Sequence, residues 1–245
     1  MLRALGKIII SYLTEPQASC APSMPTSTAA LEQTARAGDI LLVEGRERIS
    51  AAIKYLTQST WSHAALCVGP NEKTGTMQFL ETDAAFGVRL VAADHYQGYH
   101  MRLCRPIGLT TSDIQSVTDY ALARVGDTYD LRNIIDLARY LMPTPPVPLP
   151  WRRRMIALGS GDPTKAICST LIAQAFETIR YPVLPMITRE ISNDVDCVDC
   201  VEEILHIRHF SLYTPRDFDV SPYFEIVKPS LESGFNYRTL SWADR

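Results

Sequence analysis

Ala166-Ile167-Cys168-Ser169-Thr170-Leu171-Ile172-Ala173-Gln174-Ala175-Phe176-Glu177-Thr178-Ile179 is the stretch around which the rest of the chain is read. Leu171, Ile172, Ala175 and Ile179 recur at helical spacing and mark one apolar face. Cys168 falls on that face, at its N-terminal end. Asp162, Pro163 and Thr164, just upstream, are residues that start helices. A thiol in a first turn meets unpaired N–H groups and the positive end of the helix dipole, and both favour the thiolate. The competing reading is an inert buried thiol, which is common for a lone cysteine. The remaining elements decide between the two.

Composition excludes several classes. The chain has 245 residues, 46% of them hydrophobic, enough to bury a sizeable core. A net charge of -3 argues against wholesale nucleic-acid binding. Six scattered cysteines do not make a disulfide scaffold and suit a reducing, cytoplasmic compartment. Residues 1–36 read as an arm and linker. In them Arg3 and Lys7 precede Ile8-Ile9-Ile10-Ser11-Tyr12-Leu13, and Glu15-Pro16 end the apolar run. A bilayer span needs ~20 apolar residues, so this run is too short to cross one. As an export or lipid-attachment signal it is poor, with Gln17 where an aliphatic residue is wanted before Cys20. Pro22 to Ala35 read as a polar linker, 37–230 as the domain and 231–245 as a tail.

The domain begins at Gly38-Asp39, a turn, followed by the buried strand Ile40-Leu41-Leu42-Val43. A helix is expected from Arg46 to Leu56. Ser59 to Gly69 reads as a strand with His63 at its entrance, and Met77 to Thr82 as the next strand after a turn-rich loop. If that loop is a hairpin turn centred near Glu72, His63 and Glu81 stand opposite each other on one face of the sheet. A carboxylate there holds an imidazole in one tautomer and stabilises its protonated form. The plainer readings are a hydrogen-bonded structural histidine and a solvated strand-end charge. Further strands are expected at Gly87–Val91, Tyr99–Arg105 and Phe224–Val227. A helix is expected from Ser112 to Val125, capped by Thr111 or Ser112, and another from Leu131 to Leu141.

Met142 to Trp151 holds five prolines and runs into Arg152-Arg153-Arg154. It reads as a stiff exposed loop, or as a lid or membrane-facing edge that makes peripheral membrane contact. Cys197 and Cys200 form a C-x-x-C with His206 and His209 close behind. The two pairs are too close for zinc-finger spacing, and Glu202-Glu203-Ile204-Leu205 read as helix, on which the four side chains point apart. No metal site and no cofactor are expected.

A thiol at a helix start, a histidine on a strand and an acid on the next strand form a set with one chemistry. The thiolate attacks a carbonyl, the histidine carries the proton, and the acid orients the histidine. Backbone N–H groups at the helix start can hold an oxyanion.

Gly126-Asp127-Thr128-Tyr129 followed by Cys168-Ser169-Thr170-Leu171-Ile172 resembles the Gly-x-x-Tyr … Cys-Ser-x-Leu-aliphatic signature of NlpC-type cysteine peptidases. Here Gly38-Asp39-Ile40-Leu41-Leu42 and Trp61-Ser62-His63-Ala64-Ala65 precede the cysteine. That order, with Thr214-Pro215-Arg216-Asp217-Phe218 near the end, resembles the circularly permuted, YiiX/YebB-like branch. Two features depart from the pattern: the long gap between Tyr129 and Cys168, and Ile167 where an aspartate is usual. The resemblance implies an α+β fold of circularly permuted papain-like type, an antiparallel sheet or small barrel packed against helices. It implies Cys168 as nucleophile, His63 as base, Glu81 as third member, and Tyr129 and Ser169 as oxyanion or site support. The expected activity is thiol hydrolysis of an amide or ester, with a small peptide (cell-wall peptide among them) or a lipid as substrate. The alternatives are a catalytically idle lipid- or membrane-surface-binding module and a lipid acyltransferase; the Asn-Cys-Glu-His motif of the lecithin:retinol acyltransferase relatives is absent.

Overall fold

The computed structural model describes residues 15, 25–83, 86–127, 167–191, 201–232 and 236–239. At its centre lies β1 (Ile40–Glu44), whose first four residues are buried on both faces. The reason for that apolar run is its position. β1 pairs antiparallel with β2 (His63–Pro70) on one side and with β5 (His100–Pro106) on the other. β3 (Met77–Asp83), β4 (Gly87–Ala92) and β8 (Phe224–Val227) complete a six-stranded sheet in the order β4-β3-β2-β1-β5-β8. The Phe224–Val227 strand has the ends expected, and the others differ by a few residues.

Alternation sends the two sides of β1 into different cores. Ile40 and Leu42 join Ala64, Leu66, Leu80 and Cys104 beneath α3 (Thr111–Leu122) and α4 (Ile167–Glu177), which contribute Val117, Ala121, Leu171, Ile172 and Phe176. Leu41 and Val43 join Ala65, Cys67, Phe79 and Leu103 on the other face. The expected apolar face of α4 is therefore the buried one, with Cys168 at its start. The expected helix at 46–56 is α2 (Arg48–Thr57). Thr110, and neither Thr111 nor Ser112, caps α3, through a reciprocal capping box with Asp113.

Two segments take a different form from the one expected. The segment 22–35, read as polar linker, contains α1 (Thr28–Thr34), capped by Ser27, whose side chain accepts from the Ala30 amide at 3.3 Å. Leu31 is 0% exposed and packs with Ala35 into the second core. Thr26 clamps the entry by bonding both the carbonyl and the amide of Met101. With a single large apolar residue, α1 shows no periodicity. It forms because the sheet face needs cover. Leu31→Ala should therefore cost about 2–5 kcal/mol, read as a lowered denaturant midpoint. A shift worth less than about 1 kcal/mol would return the segment to linker status.

The second segment is Glu202–Leu205, expected as helix. These residues belong to β7 (Val201–His206), which pairs with β6 (Met186–Ile191) in a separate two-stranded sheet. A short apolar run fits either period, and pairing decides it. Downstream, Thr214 caps α5 (Pro215–Asp219) through a capping box with Asp217, and Phe218 enters the first core. Part of the expected tail is structured: α6 (Pro229–Glu232) packs against α1. The expected helix at 131–141, the proline block, Arg152 to Arg154, Tyr129, Cys197 and Cys200 lie outside the described residues. Among the described residues no helix is long and apolar enough to cross a membrane.

Candidate active site

Packing of α4 against β2 and β3 places its first turn beside the opening residue of β2. That juxtaposition joins Cys168 to His63. Cys168 is 6% exposed, and its thiol lies near enough to the His63 ring and the backbone N–H of Ala64 for both to act on it. The Ser169 hydroxyl lies 3.9 Å from Sγ. On the far side of the ring, His63 Nε2 stands 3.0 Å from Glu81 Oε2. With Nε2 committed to the carboxylate, Nδ1 is the ring nitrogen left for Cys168.

Glu81 reaches His63 by a different register from the one expected. The ladder pairs Leu66 with Leu80 and Cys67 with Phe79, and a bulge follows between Cys67 and Gly69. Continued, it sets Glu81 opposite Ala65, so His63 and Glu81 are diagonal and not directly opposed. The slip is two residues, and side chains alternate with period two, so Glu81 stays on the His63 face. Diagonal neighbours are roughly 7–8 Å apart at the backbone, within reach of two long side chains.

Cys168, His63 and Glu81 thus lie side by side. No family model matches the sequence, and no curated protein matches it. The chain is similar to the crystal structure of the metalloprotein yiiX from Escherichia coli O157:H7. Identity is 16% and the TM-score 0.47, over 78% of this chain and 96% of that one. The match is to a YiiX-like protein, the type that the motif order resembles.

Charge at the site is set by burial and by the three groups acting on one another. Burial pushes the Cys168 thiol up, but the His63 charge, its hydrogen bond, the Ala64 amide and the Ser169 hydroxyl bring it below the usual thiol range. Burial pushes His63 down, but Cys168 and Glu81 hold it well above the usual imidazole range. Burial also opposes ionisation of Glu81, yet hydrogen bonding and charge from His63, with Tyr96 and His95, bring its carboxyl down to about 2. Both directions favour a thiolate–imidazolium pair over the neutral one. Glu81 consequently stabilises the fold above the ordinary carboxylate range and loses that contribution as pH falls toward about 2. His63 stabilises it below the ordinary imidazole range and loses that as pH climbs through its raised value. The other described cysteines behave oppositely: burial pushes Cys67 up to about 12 and raises Cys104 further.

Sequence reasoning missed the surroundings of Glu81. Tyr96 donates to Oε2 at 2.9 Å, Arg89 Nε donates to Oε1 at 2.9 Å, and His95 Nε2 lies 3.4 Å from Oε1. Arg89 is the direct cross-strand partner of Glu81 on β4. A charged residue between Val88 and Leu90 was the available signal, and it acquires meaning only once the strands are paired. His206 bonds the Thr188 hydroxyl at 2.8 Å, and the His209 ring packs on Phe210. Among the described residues no group of three or more His, Cys, Asp or Glu side chains could hold a metal ion.

Proposed function

We propose that this protein is a thiol hydrolase of circularly permuted papain-like type, cleaving an amide or ester through an acyl-enzyme on Cys168. The observation that carries the proposal is a thiol at a helix start placed beside His63, whose ring is hydrogen-bonded to a buried carboxylate. In acylation the Cys168 thiolate attacks the carbonyl carbon, forming an S–C bond while the carbonyl electron pair moves to oxygen. The oxyanion collapses, the C–N or C–O bond breaks, and His63 gives its proton to the departing amine or alcohol. Neutral His63 then takes a proton from water, and the hydroxide adds to the thioester. The S–C bond breaks, Cys168 leaves as thiolate, and the carboxylic acid is released. N–H groups at the α4 N-terminus are suited to hold the oxyanion of both steps. Glu81 fixes the ring and balances its charge without touching the reacting carbon. Peptides, cell-wall peptides among them, and lipids are the two substrate classes to test.

The test is a panel of peptide amides, acyl esters and lipids, quenched in acid and read by mass spectrometry. The expected result is an acyl mass on the peptide carrying Cys168, removed by hydroxylamine as a thioester is. Turnover with the acyl group on another residue, or no Cys168 adduct from any member of the panel, would overturn the proposal.

A further inference from the structure

Glu81 is bonded from two sides, and only one partner belongs to the reacting pair. Its Oε2 accepts from His63 and from Tyr96. Its Oε1 accepts from Arg89, with Nη2 at 2.7 Å and Nε at 2.9 Å. Arg89 is held in turn: Asp83 Oδ2 lies 3.4 Å from Nη2, and the guanidinium lies over the Phe86 ring at 4.8 Å. Because β4 pairs Arg89 directly with Glu81, the contact is fixed by the ladder and not by a loop. The Glu81 side chain is 3% exposed, so water does little to screen this pair.

The two half-reactions make opposite demands on His63. Acylation needs a proton on the ring for the leaving group, and deacylation needs a ring lone pair to take a proton from water. A buried carboxylate with no counter-charge would hold the imidazolium against the second demand. The Arg89 guanidinium carries its charge against Oε1 and so offsets part of the Glu81 charge. What then reaches His63 is the Glu81 hydrogen bond together with a weakened negative charge.

We infer that Arg89 is a positioning residue for the proposed reaction: acting through Glu81, it keeps His63 able to release the proton that Cys168 gives it. The inference rests on the Cys168–His63–Glu81 reading. Among the described residues the charged and titratable groups around it are few. His63 faces Cys168 of α4 and Glu81 of β3, and Glu81 faces His63, Arg89, His95 and Tyr96. Arg89 faces Glu81, Asp83 and His95, and Asp83 offsets part of its charge. Tyr96, 2% exposed, acts in the same sense by sharing Oε2 with His63.

The sign of the effect separates this role from a structural one. Removing the Arg89 charge favours imidazolium and disfavours thiolate, so both limbs of a reactivity profile move to higher pH. Loosening the network would instead free His63 from Glu81 and lower its midpoint. Two readouts need no substrate: proton–nitrogen NMR titration of His63, and the rate of Cys168 alkylation by iodoacetamide against pH. Arg89→Gln is expected to raise the His63 midpoint by about one pH unit and carry both alkylation limbs upward. Arg89→Lys, which keeps the charge, is expected to stay near wild type. An unmoved or lowered midpoint in Arg89→Gln overturns the inference while an activated wild-type Cys168 leaves the hydrolase reading standing. If wild-type Cys168 alkylates as an ordinary thiol, both fall. Should Arg89→Gln not fold, Tyr96→Phe carries the test: losing the competing donor should shift the midpoint upward by less, and no upward shift overturns the inference.

Discussion

Cys168→Ser should fold as the parent does and lose turnover on any substrate found, by on the order of 10⁴-fold or more. The exchange is nearly isosteric, so packing of the first turn of α4 against β2 survives. What disappears is ionisation: a hydroxyl beside His63 is not deprotonated near neutrality, whereas the thiol is held below its usual range. The same contrast predicts selective labelling of the parent protein. Limiting iodoacetamide at mildly acidic pH should modify Cys168 first, because burial raises Cys67 and Cys104 and keeps them as thiols. Thermal melting alongside turnover checks that the fold is intact. Retention of more than about 1% of the parental rate would mean that another group is the nucleophile.

His63→Ala should produce the second large effect, visible without any substrate. Cys168 would keep its burial, which raises a thiol, and lose the cation and hydrogen bond that lower it. The midpoint of its alkylation against pH should move from below the ordinary thiol range to about 8.5 or above. Turnover should fall by on the order of 10⁴-fold, because both proton transfers lose their carrier. Removing His63 leaves Glu81 with Arg89 and Tyr96 as partners, so the carboxylate is not stranded and the fold should hold. An unmoved alkylation midpoint would show that the helix terminus alone activates the thiol and that His63 is not its base.

Much of the candidate site can be read along the chain because its chemistry is local. A helix start presents a thiol to free N–H groups wherever the helix packs, so the spacing of Leu171, Ile172 and Ala175 was sufficient to orient Cys168. Period-two alternation likewise carried Glu81 to the His63 face although the bulge after Cys67 moved the register by two residues. A slip of one residue would have put the carboxylate on the opposite face, and no pattern in the loop excluded it.

What the sequence by itself determined is the set of local elements and the residue types at their ends: the run at Ile40–Val43, the strand opening at His63, and the helix opening at Cys168. Tertiary structure decided whatever depends on which surfaces meet. Leu31 is core only because the second face of the sheet needs cover. Val201–His206 is a strand only because Met186–Ile191 pairs with it. Arg89 and Tyr96 join Glu81 only because β4 and the turn after it fold back across β3. Periodicity records how each segment buries itself, and pairing energy between segments distant in sequence leaves no mark on either one alone.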